Sequence, residues 1–157
     1  MKRWILWSLV LLAVVLLMKE ENRPGTDIAG LEPVRTLWVE AGSDGLRLAA
    51  DGGLSGQGAD LAAAVKDMEQ TAYGQVFLDT AEYLLVSPAA VKWLPELMKI
   101  LRPSCRVYLA DKVTDLETVT EYLSAREPGV TLGDWRKGKT NLPVLYVIEE
   151  RMYLAKP

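Results

Sequence analysis

The chain has 157 residues, half of them hydrophobic, with 18 basic and 21 acidic residues and a formal charge of -3. That length and composition suit one ordinary domain plus a short appendage. Histidine is absent, and cysteine occurs once, at Cys105. Those absences exclude an imidazole base for a Ser or Cys nucleophile, a His-containing zinc site, a two-His iron site and an internal disulfide.

The first 23 residues hold four of the basic and two of the acidic side chains, leaving 14 against 19 and a net charge of -5 for the rest. An acidic body without clustered Lys or Arg is not a nucleic-acid partner. Met1 to Met18 opens with Lys2 and Arg3, and from Trp4 to Met18 only Ser8 is polar. The ten Leu, Ile and Val residues of that run favour insertion by about 3 to 6 kcal/mol. A run of fifteen residues is short for a span and matches the core of a signal peptide. No small-x-small cleavage site follows at Met18-Lys19-Glu20-Glu21, so residues 1–18 are expected to remain as a single-pass signal anchor. Lys2 and Arg3 would hold the N-terminus in the cytoplasm and leave the body outside.

Residues 19–33 carry two prolines and two glycines without periodicity and read as a flexible tether, with an extracytoplasmic domain over 34–157. Val34 to Ala41 and Leu46 to Asp51 flank Gly42-Ser43-Asp44-Gly45 as a hairpin. Gly56-x-Gly58 then introduces a helical pattern in which Leu61, Val65, Met68 and Ala72 share one face. The run Val76-Phe77-Leu78 to Tyr83-Leu84-Leu85-Val86 is expected to be the strand covering that face. Gly56 and Gly58, with Asp79 at the end of the next apolar run, partly match a dinucleotide-binding fingerprint. Leu61 occupies the place of the third glycine, so a glycine-rich turn feeding a helix is expected instead, with no cofactor.

Ser87-Pro88 predicts the start of a second helix, and Pro95 a kink or fresh start near Leu94. Arg106 to Ala110 reads as a strand, and Thr114-Asp115-Leu116-Glu117 as a capping box opening a third helix. Gly133 to Lys139 reads as a polar loop with Trp135 tucked onto the core. Leu142 to Ile148 and Met152 to Ala155 form a closing hairpin about Glu149-Glu150-Arg151. The order predicts a mixed α/β (α+β) fold: a central sheet with parallel β-α-β crossovers, antiparallel hairpins at its edges and three helices.

The hairpin from Val34 to Asp51, the G-x-G-x-x-L-x-x-A-V stretch at Gly56 to Val65, the run through Val76 to Ser87, the Leu-x-x-x-Leu at Leu97 to Leu101 and the passage from Val107 to Leu123 resemble the N-terminal domain of the Ger(x)C family. These are the C subunits of spore germinant receptors. The resemblance implies a domain working by protein contact at the spore inner membrane in germination or sporulation, without catalysis. Its implied partners are receptor A and B subunits or other spore envelope proteins. Family members are typically three-domain lipoproteins, whereas no lipobox cysteine follows the apolar run here. A single-domain relative held by a peptide anchor is therefore expected.

Two other readings rest on acidic residues. A cell-surface small-ligand-binding or sensory domain would use a crevice at the carboxyl ends of the parallel strands, near Asp51 to Gly58, Asp79 and Asp111. An enzyme would need paired carboxylates from Asp79, Glu82, Asp111 and Asp115; strand-end acids are more often solvated, and no catalytic, cofactor-binding or metal-binding residue is assigned. Cys105, with no base to activate it, is expected to be a small apolar filler.

Overall fold

The computed structural model describes residues 31–126, 129–148 and 151–155. The expected anchor, and all of the tether before Leu31, lie outside the described residues. Glu32–Pro157 forms one compact unit.

The mixed α/β architecture is as the sequence predicts. Strands β1 (Leu31–Pro33), β2 (Thr36–Gly42), β3 (Gly45–Ala50), β4 (Ser55–Gly58), β5 (Gln75–Phe77), β6 (Tyr83–Val86), β7 (Arg106–Ala110), β8 (Val144–Ile148) and β9 (Arg151–Ala155) alternate with helices α1 (Leu61–Thr71), α2 (Leu94–Leu97), α3 (Leu116–Ser124) and α4 (Leu132–Arg136). Seven strands form one sheet in the order β4-β3-β2-β6-β7-β8-β9, and β1 pairs with β5 in a small separate sheet. The four central strands are parallel, while β3, β4 and β9 run antiparallel to their neighbours. Helical crossovers force the parallel centre, and tight connections force the antiparallel edges.

Period-two alternation divides the core between the two faces of the sheet. On one face Leu37, Val39, Leu48, Leu84, Val86 and Val107 pack with Leu61, Ala64 and Met68 of α1 and with Leu94 and Leu97 of α2. On the other, Trp38, Tyr83, Leu85, Tyr108 and Leu145 meet Val119 and Leu123 of α3. The second face also holds a polar tie, in which the buried Thr36 and Thr120 hydroxyls lie 2.5 Å apart. The Thr120 hydroxyl reaches the Leu116 carbonyl as well.

Several local expectations are corrected. Ser55–Gly58 is a strand at the edge of the sheet, not a turn. The apolar face of α1, with Leu61, Ala64 and Met68 buried, lies chiefly on β4 and β3 instead of on the run that follows it. That run is itself broken: a 3-10 turn at Leu78–Thr80 separates β5 from β6. The Arg102 guanidinium fixes the break by donating to the Thr80 and Ala81 carbonyls.

The segment after Ser87 is a 3-10 helix over Pro88–Trp93, and α2 starts at Leu94, where Pro95 places the fresh start. Ser87 does not cap that helix; its Oγ accepts the Ala41 amide. Helix α3 is capped by Asp115, one residue later than the Thr114 capping box would have it. The capping box is instead at Thr131 and Asp134, opening α4 just before the stretch read as a loop, into which the helix runs through Arg136. Trp135 does rest half-buried against the larger core.

Candidate functional site

The Gly-x-Gly motif has a steric role that the structure makes explicit. A Cβ on Gly56 would lie 2.2 Å from the Ala64 carbonyl oxygen and 2.5 Å from the Met68 amide nitrogen. On Gly58 it would lie 2.4 Å from the Ala64 amide nitrogen and 2.6 Å from the Ala63 Cβ. Both glycines therefore allow α1 to lie directly on β4, with alanines on the helix side. Asp79, in the Leu78–Thr80 turn, is not on this strand-to-helix unit.

Helix α1 also closes the edge it covers. Asp67 accepts the Gln57 amide at 2.9 Å, and the Thr71 hydroxyl donates to the Ser55 carbonyl at 3.1 Å. Side chains of the helix thus satisfy backbone groups of β4 that a neighbouring strand would otherwise take.

The acids expected to converge do not. The Asp51 carboxylate accepts the Arg35 and Thr36 amides, which puts it at the amino end of β2. Asp79 precedes β6, also at an amino end, and Glu82 lies 3.9 Å from Arg35. Asp111 follows β7, at the carboxyl end of the parallel strands. The crevice expected near Asp51, Asp79 and Asp111 is therefore not assembled, because β3 runs antiparallel to β2 and returns Asp51 to the opposite end of the sheet.

Asp115 and Asp51 do share a surface groove of about 320 Å³, with the Gly52-Gly53 turn, Ser55 and Glu117 along its walls. Both carboxylates are already engaged. Asp115 accepts the Thr118 hydroxyl and the Glu117 and Thr118 amides. Those bonds, the Thr118 hydroxyl foremost, hold its carboxyl below the ordinary range, which favours a fixed anionic cap. Asp134 is held low likewise, by Lys139 first and then by Thr131. Among the described residues, no three His, Cys, Asp or Glu side chains are grouped to hold a metal ion.

Cys105 is fully buried in the larger core. Burial pushes its thiol up to about 12, with Arg102 and Arg106 pulling weakly the other way, so the neutral form prevails. Tyr108 is also buried, and desolvation raises its phenol above the ordinary value.

Residues placed for contact occupy two regions. The first is the segment from Tyr73 to Phe77. Tyr73 is completely exposed and Phe77 partly so. The Phe77 carbonyl accepts the Val34 amide, and the Thr80 hydroxyl accepts the same amide at 3.1 Å. Phe77 therefore lies beside Val34, just after β1, the strand that pairs with β5. The second region is the closing hairpin, where Tyr146, Ile148 and Tyr153 are all exposed. Sequence reading missed both, because an apolar residue in a strand-like run signals burial until the neighbouring layers are known.

The apolar segment from Trp4 to Met18 lies outside the described residues, among which no helix is long and apolar enough to cross a membrane. Compared with known proteins, the chain matches no protein-family model, no curated protein and no solved structure.

Proposed function

We propose that the chain is a membrane-anchored, extracytoplasmic protein-interaction domain acting in spore germination or sporulation, in the manner of a germinant-receptor C subunit. The observation that carries the contact role is the bond from the Val34 amide to the Phe77 carbonyl. It ties β5, which carries the exposed Phe77, to Val34 near the start of the described domain. Phe77 on a short strand, with Tyr73 in the bend before it, can bury a large area on contact, the property that enriches aromatics at interfaces. A partner embedded in the same membrane is the natural recipient. The basic leader flank and the Ger(x)C resemblance support the same reading. The receptor A and B subunits are the proposed partners.

Deleting the gene and scoring nutrient-triggered germination tests the role. The expected result is slowed or lost germination, restored by the intact chain and not by one carrying Tyr73→Glu and Phe77→Glu. Normal sporulation and germination in the deletion strain would refute it.

A further inference from the structure

We propose that the chain pairs with a second copy of itself through the outer edge of β9, extending the seven-stranded sheet across a two-fold axis at Tyr153. The proposal stands apart from the germination role and uses none of its observations.

The two edges of the sheet are treated differently. At β4, Asp67 and Thr71 of α1 engage the outward backbone groups. At β9, the last strand of the sheet, no described residue outside β8 bonds the backbone. An edge left open is a template for another strand, and proteins that avoid such pairing place charges, prolines or bulges on it. Among Arg151–Ala155 the only charge is Arg151.

The apolar groups of the hairpin continue to that edge on both faces. Tyr146 and Tyr153 are direct partners across the β8–β9 ladder, and both are roughly half exposed, at 44% and 49%. Alternation puts them, with Ile148, on the face opposite Leu145. The other face presents Met152 and Leu154, partly buried against the α3 side of the core. Only Val144 and Leu145 of β8 pair with β7, so the remainder of the hairpin projects beyond it as an arm.

The strand is self-complementary under a two-fold rotation. Antiparallel pairing centred on Tyr153 sets Tyr153 against its own copy, Met152 against Leu154, and Arg151 against Ala155. No like charges meet. The tyrosines then form a row of four across the axis, and the Met152 and Leu154 side chains form an apolar row on the opposite face. This is the isologous arrangement of a closed dimer, in which the same patch serves both copies. A five-residue edge buries less than the roughly 1,200 Å² of a standard interface, so the dimer is weak and reversible.

The full-length chain in detergent tests this. With Tyr153→Cys, oxidation should give a disulfide-linked dimer on a non-reducing gel. Gln57→Cys, on the edge closed by α1, should cross-link at least tenfold less. Wild-type chain, with only the buried Cys105, should not cross-link. In sedimentation, Tyr153→Lys, which opposes two ammonium groups across the axis, should raise the dimer dissociation constant at least tenfold with an unchanged melting midpoint. Tyr153→Phe should leave that constant unchanged within twofold. Equal cross-linking at positions 57 and 153 would show copies merely sharing a micelle and would overturn the proposal. So would monomeric wild-type chain at every concentration, the result expected if β9 instead receives a strand from a different protein. Should Tyr153→Lys unfold, the contrast between the two cysteine positions decides.

Discussion

Gly56 is the residue on which the arrangement of helix and edge strand most depends. The atoms that a side chain there would strike belong to the α1 backbone, which cannot rotate away. Gly56→Ala should therefore separate α1 from β4 or distort both, at a cost of about 1 to 3 kcal/mol. Urea unfolding at constant m-value reads this as a lowered midpoint; an unchanged midpoint would show that the contact is looser than described. Cys105 supplies a second test at this scale. With the thiol buried and its ionisation shifted to about 12, an aromatic disulfide reagent at pH 8 should leave the native chain unlabelled and label it fully in denaturant. Rapid native labelling would contradict the burial. A single cysteine with no histidine to activate it was enough to predict that inert role. Nothing in the sequence identified Gly56 as a packing glycine, because the residue it must accommodate, Ala64, comes from a helix whose resting place was not yet known.

Among the elements, the closure of the β4 edge by α1 makes the sharpest expectation. Asp67→Ala removes the acceptor of the Gln57 amide. Exchange of that amide with deuterium, followed by NMR, should accelerate at least tenfold, while amides of β2 and β6 keep their protection. Equal exchange in the two proteins would mean that Asp67 is not the group guarding the edge. The same element shows where sequence reading stops. Alternating helices and strand runs predicted a parallel centre with antiparallel edges, since crossover geometry allows few alternatives. Ser55–Gly58 escaped because Ser-Gly-Gln-Gly has no strand-forming residue; its pairing with Leu46–Ala49 of β3, together with α1 above it, holds it extended. Likewise α4 is only five residues long. Its Thr131-x-x-Asp134 signal was present, but the polar residues from Arg136 to Lys139 suggested a loop.

At the scale of the folded unit, the described residues form a sheet whose β4 edge is engaged by α1 and whose β9 edge no described residue bonds, with Phe77 exposed beside Val34 and further exposed aromatics along the closing hairpin. The candidate site was legible only negatively in the sequence. The lack of histidine ruled out whole classes of chemistry, but no spacing of acids could show that Asp51 and Asp111 lie at opposite ends of the sheet. The proposed function accounts for these surfaces by attaching the domain outside a membrane through residues 1–18, where contact with other membrane proteins is its work. Protease treatment of intact protoplasts expressing the full chain, followed by fractionation, tests that placement most directly. The chain should sediment with membranes and its domain should be digested from outside while a cytosolic marker survives. Recovery of undigested chain in the cytosolic fraction would contradict the account.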